Sequence, residues 1–306
     1  MNLTDGAWIV IIGSLVAGSS SLLGCFLVLR RLSMLGDAIS HAVLPGIVVA
    51  FMITSSRNTL PMLIGAGALG LLTVFLTDML SRHGKLQSDA AMGVTFTWLF
   101  AIGVVLVTRF TAHVDLDVDC VLYGEILSAP FNTWEWHGYN MGPRAAWLVG
   151  SAFCANLLFV LLGFKQLKVC AFDAGLAASM GIRVVLWHYL LMGFVSLTTV
   201  ASFESVGAIL VVAMLIVPAN TAYLLTDRLP RMLTLSVALG ITSAAGGYWL
   251  AALLDGSIAG AMAVVSGAQF ILAMMLSPRH GLVSRGLARR RLRQALASRH
   301  LEAAVK

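Results

Sequence analysis

Asp37 and His41 lie four residues apart inside SMLGDAISHAVLPGIVVAFMIT, a stretch that is otherwise apolar. Four residues is about one helical turn, so on a helix the carboxylate and the imidazole share one face. A carboxylate oxygen and an imidazole nitrogen converging at that spacing are suited to a divalent transition metal. If the helix starts near Ser33 at the inner surface of a membrane, a rise of about 1.5 Å per residue sets His41 roughly 12 Å deep. Ionisable groups there cost about 2.5 to 3.5 kcal/mol on insertion scales, so they normally face a cavity, a partner or a substrate path. On this chemistry alone the pair either lines a substrate or proton path, or fixes packing by pairing internally or with a neighbouring helix. Pro45 adds a third polar group. It has no N–H, so the carbonyl of His41 loses its helical donor, and the helix is expected to kink there with Gly46 easing the bend.

The elements that must hold these groups are membrane helices. Of 306 residues, 59% are hydrophobic and only 11% charged, and the mean hydropathy is +0.90. Soluble domains carry about 25% charged residues. Apolar runs of about 20 residues, the length that crosses a roughly 30 Å hydrocarbon layer, occupy approximately residues 7–29, 34–54, 60–80, 89–109, 145–164, 184–202, 205–226, 231–254 and 257–276. The expected fold is an all-α integral membrane bundle of about eight or nine transmembrane helices. The uncertainty in number lies in residues 184–226, which form either two spans or one span and a broken, re-entrant half.

Positive charge fixes the expected orientation, because Lys and Arg in short loops are retained on the cytoplasmic side. With the N-terminus outside and the C-terminus inside, all of the 20 Lys and Arg fall inside except Arg57, Arg109 and Arg144. The first span has neither a basic leader nor a small-residue cleavage site and reads as a retained helix. Cys25, Cys154 and Cys170 fall in spans or inside and only Cys120 outside, so no structural disulfide is expected. The transmembrane domain is placed at 1–278. Residues 279–306 form a basic cytoplasmic tail, suited to a topology anchor and to contact with anionic lipid. No phosphate-binding GxxxxGK[ST] loop, HExxH, GxSxG or CxxC occurs, so the chain carries no recognisable machinery of its own for hydrolysing ATP or cutting a bond.

A second stretch, KQLKVCAFDAGLAASMGIRV at residues 165–184, falls on the inner face. Asp173 suits a helix N-cap and Gly181 the position just past a helix end. The spacing predicts a helix of about two turns between two spans, either a simple connector or a docking element for a cytoplasmic partner.

Together RRLSMLGDAISHAVLPG, this inner helix with Asp173, Ala177, Gly181 and Ile182, and FESVGAILVVAMLIVPANTAYLLTDRL at 203–229 resemble the membrane permease of ATP-driven (ABC) importers for manganese, zinc or iron(II). The resemblance covers essentially residues 7–278. It implies a multi-pass permease of the cell (inner, cytoplasmic) membrane that pairs with a second copy or a sister permease around a central path. It further implies two cytoplasmic ATPase subunits that hydrolyse the ATP, and an extracytoplasmic metal-binding protein that delivers the ion. Residues 173–181, with Phe172 and Ile182 flanking them, become the coupling helix seated on the ATPase. Asp37 and His41 become the metal-path pair, facing their counterparts across the dimer axis. The metal is cargo; no cofactor is permanently bound and no nucleic acid partner is implied.

Glu204 interrupts the apolar run between 184 and 226 near its outer turn, either as a further acidic ligand or as a solvated acid. Pro218 is expected to shape a helix end. The longest outer loop holds His113, Asp115, Asp117, Asp119, Glu125, Glu135 and His137. These acids either raise local cation concentration or meet basic residues of the delivery protein, or simply hydrate the loop. Within the loop, VLYGEILSA resembles the family's short gating helix. Trp134, Trp136 and Tyr139 suit a membrane interface. An ATP-independent secondary transporter or channel for divalent metals would show the same buried pair and is the alternative. Oxygen and nitrogen ligands leave the choice among manganese, zinc and iron open.

Overall fold

A computed structural model describes residues 3–54, 59–110, 126–136 and 139–277. Its helices are α1 (Leu3–Leu29), α2 (Leu35–Thr54), α3 (Thr59–His83), α4 (Ser88–Phe110), α5 (Arg144–Phe172), a short α6 (Ala174–Ser179), α7 (Val184–Leu225), α8 (Leu229–Leu254) and α9 (Ile258–Leu276). Among the described residues 9 segments are long and apolar enough to cross a membrane. The chain is therefore a multi-pass membrane protein built as a helical bundle. Helices suit this solvent because each satisfies its own backbone N–H and C=O groups where no water can.

Helix α1 is the axis of the bundle. Its spanning window is 78% buried, against 22% for α5 and α9, and it packs on α5, α7 and α8. Ile9, Ile12, Val16, Leu23 and Phe26 are fully enclosed. Some of the enclosed polar groups of this core bond one another across helices. Asn156 of α5 donates to Ser19 Oγ at 2.7 Å and to Thr198 Oγ1 at 2.6 Å, joining α1, α5 and α7. Elsewhere Ser and Thr bond a carbonyl one turn back, as Ser40 does to Gly36 at 2.8 Å and Thr95 to Ala91 at 2.8 Å. A second packed group consists of α2, α3 and α4, and α7 contacts members of both.

The ambiguity at residues 184–226 is resolved by one residue. Helix α7 has 42 residues, about 63 Å if straight, twice the hydrocarbon thickness. It breaks at Gly207, whose φ of 78° and ψ of 163° lie in a region open essentially to glycine alone. Ser205, just before the break, shares a small cavity with Leu60 and Arg144 at the starts of α3 and α5. Leu224, at the other end, accepts a hydrogen bond from Ser277 Oγ at 2.7 Å, just past α9. The two halves are thus antiparallel spans meeting at Gly207, and residues 184–226 form no re-entrant piece.

Three further details differ from the sequence expectation. Helix α5 does not stop near residue 164 but continues to Phe172, since nothing in FKQLKVCAF breaks a helix and Lys165 and Lys168 can extend into water. Its 29 residues rise about 44 Å, so one end projects beyond the apolar layer. Residues 133–136 and 139–143 pair as a short antiparallel hairpin, an addition to the all-helical plan, braced by Trp147 Nε1 donating to Met141 O at 3.0 Å. Of VLYGEILSA, residues 121–125 lie outside the described residues; Ile126–Ser128 form a turn and Ala129–Phe131 a 3-10 helix. His113, Asp115, Asp117, Asp119, Cys120, Glu125, His137 and the tail from residue 279 likewise lie outside them.

Candidate functional site

The site is a strip of α2. Leu35, Ala38, Ile39, Ala42, Val43 and Gly46 are buried against neighbouring helices. Met34, Asp37, His41 and Leu44, spaced three, four and three residues apart, form the opposite strip. Met34 is 60% exposed, and the side chains of Asp37 and His41 are 42% and 38% exposed. Around these positions the helix thus buries apolar residues and leaves its two ionisable ones partly exposed.

His41 Nε2 lies 3.5 Å from Asp37 Oδ1, as the one-turn spacing requires. The imidazole is held from the side by α4. Phe96 stacks on it, with centroids 5.5 Å apart and planes at 27°, and Phe100 meets it edge-on at 5.8 Å. One turn further along α4, Gly103 faces Pro45: a methyl group there would sit 2.7 Å from the proline Cδ. Phe96, Phe100 and Gly103 are therefore the counterpart, on α4, of His41 and Pro45 on α2. Two aromatic rings and a glycine let α4 approach closely while fixing the plane of the histidine ring.

Helix α2 remains helical through Pro45, from Leu35 to Thr54. Gly46 lies against α3, where a methyl group would come within 2.7 Å of the Gly65 carbonyl; its small size serves a close helix crossing. The His41 carbonyl is the acceptor that Pro45 deprives of its donor, one turn from both side chains. Among the described residues no group of three or more His, Cys, Asp or Glu converges. This strip therefore brings together two such side chains, Asp37 and His41. Glu204 belongs to α7, three residues before the Gly207 break.

The inner helix forms as its caps dictate. Asp173 Oδ1 accepts from the Leu176 N–H at 2.9 Å. At the other end the Gly181 N–H bonds to Ala178 O and the Ile182 N–H to Ala177 O, both at 3.0 Å, with Gly181 at a φ of 79°. This pair of bonds around a left-handed residue is the Schellman closure. The helical part, Ala174–Ser179, is shorter than two turns because the closure claims the last residues. Ala177 is enclosed, whereas Phe172, Leu176 and Met180, spaced four apart, are 63%, 52% and 62% exposed. An apolar strip of that kind on a loop end away from the apolar layer marks a contact surface.

Sequence reasoning missed the Phe96 and Phe100 clamp, and a cluster of Arg30, Asp78, Arg82 and His188 at the α6 end of the bundle. Phe96, Phe100 and Gly103 at i, i+4 and i+7 do repeat the spacing of His41 and Pro45, but only the packing shows which faces meet.

The architecture and site define a polytopic membrane protein with a paired acid and imidazole on one spanning helix and an exposed apolar strip on a short inter-helix turn. Residues 4–277 match the model of the ABC 3 transport family, and the chain belongs to that family. It is 50% identical to the manganese transport system membrane protein MntD of Bacillus subtilis (strain 168), over 92% of this chain and 95% of that one. It is 42% identical to the zinc transport system membrane protein TroD of Treponema pallidum (strain Nichols), over 93% and 77%. Among solved structures it superimposes on PsaBC from Streptococcus pneumoniae in complex with Fab with a TM-score of 0.74 and 31% identity, covering 90% of this chain and 92% of that one.

Proposed function

We propose that the chain is the membrane permease of an ABC importer that moves a divalent transition metal, manganese, zinc or iron(II), into the cytoplasm, with ATP hydrolysed by separate subunits. The observation that carries this is the Asp37–His41 pair on the partly exposed strip of α2. Two ligands from one chain, doubled by a second permease across the strip, make a set of up to four, enough to hold a partly dehydrated cation. The set contains no thiolate, which favours passage over tight retention. The names of the relatives support the choice of cargo, with manganese and zinc both represented.

The orientation is N-terminus outside, with Arg30, Arg31, Arg82, Lys85, Lys165, Lys168, Arg183, Arg228 and Arg231 on the cytoplasmic face. That face carries the exposed strip of Phe172, Leu176 and Met180, which docks the ATPase, so α6 is the coupling helix. The hairpin and Glu204 lie on the opposite face, where the extracytoplasmic binding protein delivers the ion. Residues 279–306 add a basic contact to anionic lipid.

The test is accumulation of Mn, Zn and Fe(II) in vesicles containing the assembled complex, with and without ATP. Wild type is expected to accumulate at least one of them only with ATP. Asp37→Ala and His41→Ala, assembled at matched levels, are expected to lose uptake by tenfold or more. Accumulation without ATP would support a secondary transporter or channel, and unchanged uptake in both variants would remove the pair from the path.

A further inference from the structure

The chain contains a second pair of the same two residue types, and its surroundings point to a different task. His188, in the first turns of α7, lies with Nε2 3.2 Å from Asp78 Oδ2 near the end of α3. Arg30, immediately after α1, brings Nη1 to 3.4 Å from His188 Nδ1. Arg82 Nη2 approaches the same Asp78 oxygen at 3.8 Å. A guanidinium only donates, so His188 Nδ1 accepts, while Nε2 and Asp78 Oδ2 stand at ion-pair distance without a formed hydrogen bond. Two guanidinium groups this close repel a divalent cation, so the cluster is no second metal site.

Its position gives it another use. His188 follows Val184, the first residue of α7, by four, and so sits on the arm that leaves α6. Through His188, Arg30 therefore touches the arm that joins α6 to α7. On its other side it is joined stiffly to α2. Only residues 30–34 separate α1 from α2, and they close with the Arg31 N–H bonded to Val28 O at 3.0 Å and the Leu32 N–H to Leu27 O at 2.9 Å. Arg31 sits at a φ of 58°, a left-handed conformation that costs a non-glycine residue about 1 to 2 kcal/mol. A connection this short and this tightly wound transmits displacement rather than absorbing it. Asp37 begins two residues inside the helix that it starts.

We propose that Arg30, His188 and Asp78 form a latch through which movement of α6 reaches α2 and α3, and so repositions the Asp37–His41 pair. The three are positioning residues and touch no metal. Arg30 Nε and Nη2 are buried without hydrogen-bond partners, so the guanidinium has donors free to exchange onto a new acceptor when α6 shifts. A fully satisfied cluster would lock; this one can switch. The inference rests on the permease reading.

The readout is metal taken up per ATP hydrolysed, measured with Mn(II) and Zn(II) in vesicles carrying the intact complex. Asp78→Asn, nearly isosteric, and His188→Ala are expected to keep most ATPase activity while uptake per ATP falls about fivefold or more. His188→Gln, which can still accept from Arg30 and keeps a polar group beside Asp78, is expected to restore most of the ratio. A merely structural role would lower ATPase and uptake together and leave the ratio at the wild-type value, which would overturn the latch; so would failure of Asp78→Asn to assemble. If wild type itself shows no ATP-driven uptake, the permease reading falls. If wild type transports and Asp78→Asn keeps its ratio, the latch alone falls.

Discussion

The two Asp–His pairs have nearly the same separation and opposite surroundings. Asp37 and His41 share one helix, 3.5 Å apart, with side chains about two-fifths exposed and the Phe96 and Phe100 rings of α4 beside the imidazole. Asp78 and His188 come from different helices, 3.2 Å apart and only 26% and 15% exposed, between two arginines. Residue type and distance therefore do not make a cation path. What separates the pairs is access and the sign of the neighbouring charge. The first is flanked by phenyl rings, a methionine and a leucine, which leave a cation unopposed; the second already holds its cations covalently, as guanidinium groups.

That difference can be broken by giving the first pair the electrostatics of the second. Leu44→Lys places an ammonium one turn from His41 on the same strip. At an effective dielectric of about 20 and a separation of about 6 Å, one unit charge opposes another by about 3 kcal/mol, about a hundredfold in affinity, and a divalent ion feels more. ATP-driven uptake is expected to fall by at least that factor, whereas Leu44→Gln, of similar size and neutral, should stay within a fewfold of wild type. Equal effects of the two substitutions would show that packing on the strip, and not its charge, is what matters.

A smaller effect sharpens the role of α4. If Phe96 fixes the plane of His41, then Phe96→Leu, which keeps apolar volume but removes the flat face, should raise the KM for metal about three- to tenfold with little change in assembly. That corresponds to about 1 kcal/mol, the size of one aromatic contact. Phe96→Tyr keeps the face and should keep the KM. A leucine variant with wild-type KM would show that the ring acts only as filler.

How much of this was legible in the sequence differs between the same two regions. Asp37 and His41 sit one turn apart in a hydrophobic run, so a single helix, local by nature, brings them together. The caps of α6 were legible for the same reason, since Asp173 and Gly181 act within their own turn. Arg30, Asp78 and His188 are far apart in the chain and meet only because α1, α3 and α7 end at the same face, which no local spacing records. Gly207 shows the intermediate case. The apolar run was evident, yet whether it turned or stopped depended on one backbone conformation.

The most direct test is to ask which histidine touches the metal. Pulsed electron paramagnetic resonance of Mn(II) bound to the purified, assembled complex detects a directly coordinated nitrogen. The account predicts nitrogen coupling in wild type, its loss in His41→Ala and its retention in His188→Ala. Retention in His41→Ala, or loss in His188→Ala with His41 intact, would contradict it.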